Sequence, residues 1–376
     1  MRRLLSFWGG CLELSVMNKP LTDASQTDNG FITNAWYVVA GSDELKPGSQ
    51  IRRILFGEPV VLGRTKDGDL FALRDICPHR LAPLSAGVQG SCNGKPTIAC
   101  PYHGWQFDVE SGVCLKIPSL TEDQTMPLNG VSVTQFDLQE AHGLVSLFRS
   151  GDQVQGAPLG LPPLGQLGDR PNLVLSAIFE SHIDHTTVGL MDPAHVGFVH
   201  NKWWWRPKSS GLRRKEKQFA PRDFGWSIVR HAPSTNSVAY RLLGRDVTTE
   251  IHYQLPGYRW EVIEGSKARI VTLSCLAPIS DQATQMMQFT WWQGLGLVGL
   301  AKPLLRRWGR EFLRQDQDIL KLQAKNLPYG SRMLWIEDAD RQAKWYQVLK
   351  REWCASQLEN REFSNPVKRV RLSWMS

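Results

Sequence analysis

The sequence predicts an α+β chain of two domains, an all-β domain followed by a mixed one. Three observations carry that prediction. From Asn34 to about Ser150, short aromatic and β-branched runs alternate with turn residues. Residues 151–172 then concentrate glycine and proline (Gly156, Pro158, Gly160, Pro162, Pro163, Gly165, Gly168, Pro171), which is the composition of a linker. Beyond 173, strand-like runs are interrupted by segments with helical spacing.

The elements follow in chain order. Residues 1–30 are polar toward their end and read as a flexible arm. Met1 to Met17 has the basic start of an export signal, but Glu13 interrupts its apolar stretch and no small-residue cleavage site follows. The expectation is a cytoplasmic protein, with Met17 as an alternative start. In the domain over 31–150, Ala35–Ala40, Ile54–Gly63, Leu70–Leu73 and Gly143–Phe148 read as strands. Lys66-Asp67-Gly68-Asp69 joins the second and third as a hairpin turn. The second domain, 173–350, opens with a strand at Leu173–Phe179 and a helix near Asp184–Val199. Strand-like runs extend to Trp292. Phe312, Ile319, Leu320 and Leu322 then mark a helix over Arg310–Lys325, stopped by Pro328. Residues 351–376, basic at Lys368, Arg369 and Arg371, read as a solvated tail.

Composition excludes several classes. Of 376 residues, 42% are hydrophobic and 21% charged, enough for a core and too apolar for wholesale disorder. The net charge of +8 is mild and scattered; it favours an acidic partner or an anionic substrate and argues against nucleic acid. The most apolar run, Phe289 to Leu305, is broken by Gln293, Lys302 and Pro303, so membrane contact is peripheral at most. Seven cysteines, an odd number, argue against a disulfide scaffold and for thiolates that bind metal in a reducing compartment.

Two constellations carry chemistry. The first is Cys77-Pro78-His79-Arg80 with Cys100-Pro101-Tyr102-His103-Gly104-Trp105. It offers two thiolates and two imidazoles in loops that can fold around a metal. Zinc is one reading. The other is a Rieske [2Fe–2S] cluster, with two Cys on one iron and two His on the other. The C-x-H spacing is short for a zinc knuckle and favours the cluster. Cys11, Cys92, Cys114, Cys275 and Cys354 have no spacing partner and read as small buried or idle residues. From Asn34-Ala35-Trp36-Tyr37 to about Pro118, and above all in the Cys-Pro-Tyr-His-Gly-Trp run, the chain resembles the Rieske domain of ring-hydroxylating and demethylating oxygenases. The gap between the two pairs is longer than in that family, with Gly90–Lys95 as a loop insertion.

The second constellation is Asp192-Pro193-Ala194-His195-Val196-Gly197-Phe198-Val199-His200, a D-x-x-H-x-x-x-x-H pattern. On a helix, Asp192 and His195 would share a face, and His200 would follow at the helix end. Two imidazoles and one distant carboxylate would make a two-His-one-carboxylate iron site with open positions for O₂. The later helix offers Asp316 and Asp318. This stretch looks like the mononuclear iron site of Rieske oxygenases, in which the late ligand lies seven residues before a Gln. That pattern selects Asp316, with Gln323. His182 and His185 lie just upstream, outside the pattern, and read as lining or structural. Gly189 departs from the family, where an Asn is frequent. Trp203-Trp204-Trp205 could wall a flat substrate or pack a core, while Met286-Met287 and Trp291-Trp292 read as core.

The resemblance, over residues 34 to roughly 330, implies a Rieske domain followed by a helix-grip (START-like) catalytic domain. It implies a [2Fe–2S] cluster on Cys77, His79, Cys100 and His103, and mononuclear Fe(II) on His195, His200 and Asp316. The activity implied is oxygen insertion into a C–H bond of a hydrophobic ring substrate. The monooxygenase branch that includes pheophorbide a and chlorophyllide a oxygenases points to chlorophyllide a, oxidised at a ring methyl to chlorophyllide b. Another aromatic, sterol or natural-product substrate is the alternative, and an electron-transfer protein without oxygenase activity is the alternative of another class. The electron donor implied is a ferredoxin or a flavin reductase using NAD(P)H. The family also implies a homotrimer in which Asp192 bridges His195 to the cluster of a neighbouring subunit.

Overall fold

The computed structural model describes residues 30–151, 157–165, 167–200, 212–233, 243–330 and 333–376. The N-terminal arm up to residue 29 and Trp203–Trp205 lie outside the described residues.

The N-terminal domain consists of three small antiparallel sheets. The first pairs β1 (Ala35–Gly41), β10 (Leu144–Arg149) and β9 (Leu138–Ala141). The second is the meander of β2 (Gln50–Leu55), β3 (Glu58–Arg64) and β4 (Leu70–Arg74). The third joins β5 (Val88–Cys92), β6 (Lys95–Ala99), β7 (Gln106–Asp108) and β8 (Cys114–Lys116). The Lys66–Asp69 hairpin is present between β3 and β4. The single strand expected over Ile54–Gly63 is instead two, because Phe56 and Gly57 take φ of 56° and 80° and reverse the chain in a tight hairpin. Gly90–Lys95, expected to be a loop, is largely strand. It is the tip of the β5–β6 hairpin, turned at Asn93-Gly94 with φ of 51° and 77°.

The second domain is built on one antiparallel sheet of eight strands. They are β11 (Leu173–Phe179), β12 (Arg214–Arg222), β13 (Gly225–His231), β14 (Thr248–Gln254), β15 (Tyr258–Glu264), β16 (Arg269–Ser280), β17 (Ala283–Gln293) and β18 (Val370–Met375). Their order is β11-β17-β16-β15-β14-β13-β12-β18. The helices are α1 (Ile183–Met191), the one-turn α2 (Val196–Val199), α3 (Lys302–Asn326) and α4 (Arg341–Leu358). Helix α3 begins eight residues before its expected start. Pro303 sits in its first turn, where a missing N–H leaves no bond unmade.

The end of the chain differs most from expectation. Residues 351–358 complete α4, and β18 pairs along β12 from Arg214↔Met375 to Phe219↔Val370. Trp353, Leu372 and Trp374 are buried, so this segment closes the domain and is not a solvated tail. Helix α4 packs on the sheet through Trp345, whose ring meets Phe219 at 5.5 Å and Trp226 at 5.6 Å. Burial of such rings supplies the main driving force for docking a helix whose outer face is charged.

The two domains share a core. Phe31, Tyr37, Val39 and Leu147 lie in one continuous apolar cluster with Trp226, Leu276 and Trp345. Backbone hydrogen bonds cross the boundary: Phe56 N–H to Pro278 O at 2.9 Å and Gly57 N–H to Ile279 O at 2.8 Å. The linker takes part as well. Leu159 is buried and bridges in parallel to Ala35. Beneath α1, Asp184 accepts from Lys350 Nζ at 2.7 and 2.8 Å and from the Tyr346 hydroxyl, all three side chains being buried.

Candidate metal centres

The two Cys/His loops are built alike. In the first, Leu81 N–H donates to Cys77 O at 2.9 Å and Cys77 N–H donates to Ala82 O at 2.9 Å. In the second, Gly104 N–H donates to Cys100 O at 3.0 Å and Cys100 N–H donates to Trp105 O at 2.8 Å. Each cysteine therefore begins a tight loop whose fifth residue adopts positive φ, 61° at Leu81 and 70° at Gly104. Glycine serves at 104 for that reason, and also because a Cβ there would lie 3.2 Å from Pro118.

Cys77 and Cys100 are buried, and burial, with the neighbouring Cys100 thiol, pushes the Cys77 thiol up to about 11. Two buried thiols side by side need a metal to displace their protons. His79 and His103 approach to 4.6 Å between ring centroids, His79 stacked on Trp105 at 4.6 Å. His103 Nδ1 is buried without a hydrogen-bond partner, as a metal ligand would be. Its pKa is lowered, by desolvation first and then by His79 and Arg80. These four residues do not converge tightly enough to share one ion; among the described residues only His195, His200 and Asp316 do. That wider spread suits a two-iron cluster and not tetrahedral zinc. Cys114 and Cys275 are buried and Cys92 and Cys354 half-buried, while Cys11 lies outside the described residues.

The second centre departs from a single helix. Helix α1 ends at Met191, and Asp192 caps it with φ −66° and ψ 118°. Pro193 is the cause: its ring disfavours helical geometry at the residue before it. His195 and His200 then flank α2 as its two caps. Asp192 and His195 consequently do not share a helix face. The Asp192 carboxylate caps locally, with Oδ1 accepting from Ala194 N–H at 2.7 Å and Oδ2 lying 3.8 Å from His195 Nδ1. The near acceptor for His195 Nδ1 is the Asp192 backbone carbonyl, at 2.7 Å.

Asp316 enters from α3. Its Oδ1 lies 3.6 Å from His195 Nε2 and 3.2 Å from His200 Nε2. His200 is 1% exposed and stacks on Phe312 at 3.7 Å, with its Nδ1 2.9 Å from Gln315 Oε1. A carbonyl or carboxamide oxygen accepts only, so both imidazoles carry their proton on Nδ1. Both Nε2 atoms thus face one carboxylate oxygen. A cation between them would be met by all three atoms, and buried His200 Nε2 makes no hydrogen bond of its own. Asp318 is instead paired with Arg314 at 2.6 Å, on the exposed face.

A cavity of about 460 Å³ opens beside this triad, lined in part by His195, Asp316, His185, Gln323, Asp192 and Asp340. Gln323 reaches it from two turns beyond Asp316. His185 lines it with a pKa lowered by burial, whereas His182 caps α1 and stacks on Phe31 at 5.7 Å. Met286, read as core, is buried but also borders this cavity, while Met287 and Trp291 belong to the core. Gly189 has a packing reason: a Cβ there would meet the Leu320 side chain at 3.2 Å. Leu320 occupies the space an Asn would take. Gln315, which holds His200 Nδ1, carries no sequence signature.

Comparison with known proteins bears on the fold and the family. Residues 35–136 match the Rieske [2Fe-2S] domain family. The chain is 34% identical over 174 residues to the oxygenase component of dicamba O-demethylase from Stenotrophomonas maltophilia, covering 45% of this chain and 48% of the relative. It is 32% identical over 202 residues to chlorophyllide a oxygenase of Oryza sativa subsp. japonica, covering 50% of this chain and 34% of that protein. The alignments span about half the length of these curated relatives or less. The crystal structure of dicamba monooxygenase bound to dicamba superposes with a TM-score of 0.67 at 22% identity, covering 88% of this chain and 99% of that one. The fold is therefore a Rieske domain joined to a sheet-rich domain of the kind seen in dicamba monooxygenase. The domain match and the relatives support placing the chain among the Rieske oxygenases. No described helix is long and apolar enough to cross a membrane.

Proposed function

We propose that this chain is the oxygenase component of a Rieske non-heme iron monooxygenase, inserting oxygen from O₂ into a C–H bond of a hydrophobic ring substrate. The observation that carries this reading is the convergence of His195 Nε2 and His200 Nε2 on Asp316 Oδ1 beside a cavity of about 460 Å³. Bound there, iron(II) would supply O₂ chemistry at open coordination positions, with electrons arriving through a cluster held by Cys77, His79, Cys100 and His103. The protein's own contributions are positional. The Asp192 carbonyl and Gln315 hold the two imidazoles in the ligating tautomer. The apolar wall formed by Phe179, Val188, Met191 and Met286 excludes water and orients a ring.

The remaining assignments belong to the same reading. The electron donor is a ferredoxin or a flavin reductase, for which an acidic surface would suit a chain of charge +8. The assembly is a homotrimer in which Asp192 connects His195 to a neighbour's cluster. Oxidation of chlorophyllide a to chlorophyllide b is the finer reading of substrate; likeness to the rice chlorophyllide a oxygenase supports it.

The test is anaerobic purification, metal analysis, and turnover with a reductase system, O₂ and a panel of ring compounds that includes chlorophyllide a. The oxygenase reading expects about three irons and two sulfides per chain. His195→Ala should keep the cluster spectrum and lose about one iron with all turnover. A protein with about two irons and no oxygenation of any compound would be an electron carrier.

A further inference from the structure

The eight-stranded sheet carries a polar floor on the face that bears the helices. Alternate strand residues turn to that face. Trp226 meets Trp345 of α4 at 5.6 Å, Tyr253 meets Tyr346 at 6.0 Å, and Met286 borders the cavity beside the triad. The cross-strand register then puts Arg259, Ser274 and Gln288 on the same face in one row, through Tyr253↔Arg259, Arg259↔Ser274 and Ser274↔Gln288. Glu261, Thr272 and Thr290 form the next row. Gln288 follows Met286 by two residues on β17. With a strand rise of about 3.4 Å per residue and about 4.8 Å between strands, the Cα of Arg259 lies roughly 12 Å from that of Met286. An arginine side chain and one ring together span that gap.

Arg259 stands in this floor without a match. Its side chain is 22% exposed, and its ionic neighbour is Glu261, with Nη2 3.9 Å from Oε2, beyond hydrogen-bond length. Glu261 Oε1 is taken by the Thr249 hydroxyl at 2.9 Å. Gln288 Nε2 donates to Ser274 Oγ at 3.3 Å, and the Thr272 and Thr290 hydroxyls pair at 3.4 Å. Among the described residues the Arg259 guanidinium makes no hydrogen bond, and none of its nitrogens is sealed from open space. A largely buried guanidinium with five unbonded N–H donors is poised for an acceptor that the chain itself does not supply. The surrounding charge is positive. Lys217 is half-buried on this face, and burial, then the neighbouring Lys215, lowers its pKa. Burial likewise lowers that of His231, which is neutral at pH 7. With Lys215, whose Nζ donates to Ser376 Oγ at 3.3 Å, the strands place three cations and one carboxylate here. Residues 201–211 and 234–242, outside the described residues, include Lys202, Arg206, Lys208 and Arg241 and no acid.

On the reading of the triad as an oxygenase site, we propose that this floor anchors the substrate by a carboxylate, with Arg259 as the specificity-determining residue. The substrate class is then a ring compound with a carboxylate at one end and the C–H bond to be oxidised at the other. A carboxylate offers two coplanar acceptors that match the guanidinium fork in charge-assisted hydrogen bonds. An alcohol offers one neutral acceptor and leaves the other N–H groups unmet. Glu261 opposes the anion, but Lys217 and an ion at the triad favour it. A carboxylate can also ligate that ion at an open position. The two modes differ in their dependence on Arg259, which is not among the three converging groups.

The test is equilibrium binding by calorimetry under nitrogen, on protein loaded with both metal centres. The probes are matched pairs, benzoate against benzyl alcohol and 2-naphthoate against 2-naphthalenemethanol. Each acid should bind at least about tenfold more tightly than its alcohol. Arg259→Gln should remove most of that preference and leave alcohol affinity, iron content and cluster spectrum unchanged. Arg259→Lys, which keeps the charge but not the fork, should fall between. Glu261→Gln should tighten the acids by about threefold. Acids that bind no better than their alcohols, a preference unaltered by Arg259→Gln (as ligation of the ion alone would give), or no binding by any pair would overturn the inference. If Arg259→Gln does not fold, an acid affinity that neither Arg259→Lys nor Glu261→Gln alters would overturn it. Arg259-dependent binding of acids with no oxygenation of any compound would remove the oxygenase reading and keep the anchor. Oxygenation of the alcohols with Arg259-independent acid binding would do the reverse.

Discussion

His200 and Gln315 share a buried hydrogen bond of 2.9 Å, across 115 positions of sequence. Gln315 and Asp316 are successive residues of α3, so one short stretch of helix supplies both the carboxylate that faces the two imidazoles and the acceptor that aligns one of them. The stacking of Phe312 on His200, one turn earlier, fixes the same ring from its face.

Removing the Gln315 acceptor should therefore weaken metal binding without dismantling the site. Gln315→Leu is expected to lower affinity for a divalent ion by about 10–100-fold, while Gln315→Glu, which retains an acceptor at that position, loses much less. Titration of metal-stripped protein with Co(II), followed by its visible absorption, reads this directly. Equal affinities in Leu and Glu variants would show that Gln315 merely fills space.

Cys100→Ser should abolish the visible absorbance of the cluster and all electron transfer to substrate. Cys100 begins the second of the two matched loops and is 4% exposed. A hydroxyl is a harder ligand and leaves its iron weakly held. Retention of the full spectrum would remove Cys100 from the ligand set.

The legibility of these two sites differed for a physical reason. The Cys/His loops are local: each pair lies within one tight turn, so spacing alone encodes them. The His195/His200/Asp316 group is long-range, and only the D-x-x-H-x-x-x-x-H run was local enough to read; Asp316 needed the resemblance. The three-residue spacing of Asp192 and His195 suggests a shared helix face, but Pro193 between them restricts its predecessor and ends the helix at Met191. Gln315 was invisible, since a Gln in a helix has no preferred partner. The C-terminal segment has the sequence of a solvated tail because Trp353, Leu372 and Trp374 are sparse apolar residues in a basic background. Leu372 and Trp374 are buried on a strand that pairs with β12, more than 150 positions earlier, and Trp353 packs on Phe224 and donates to Thr33 O.

Asp192→Asn should retain both metal centres and lose most turnover. The carboxylate caps the turn after α1 and lies 3.8 Å from His195 Nδ1, but it is not one of the three groups that converge. Asparagine keeps the Oδ1 acceptor for Ala194 N–H, so the loop should survive. If Asp192 conducts electrons or positions a neighbour's histidine, the loss should appear in the rate of mononuclear iron oxidation and not in iron content. Sedimentation of the same protein should show the proposed trimer, a ring that cyclic symmetry permits for a head-to-tail contact. Near-normal turnover by Asp192→Asn, or full activity in a dilute monomer, would rule out the bridge.

Lys350→Met should be among the most destabilising single changes in the chain. Lys350 Nζ is 2.7 Å and 2.8 Å from the two Asp184 oxygens, and the residues are 6% and 2% exposed. Removing the cation leaves a buried carboxylate with the Tyr346 hydroxyl and the weakly placed His182, whose Nδ1 is 3.6 Å away. Breaking such a pair costs about 3–5 kcal/mol, because the remaining charge has lost its water and its partner. The paired change Asp184→Asn with Lys350→Met removes both charges and should recover more than half of that loss. Urea unfolding of the two variants and the parent, monitored by tryptophan fluorescence, measures the difference. A double variant as unstable as Lys350→Met alone would mean that packing of the lysine stem, and not the ion pair, holds α4 against α1.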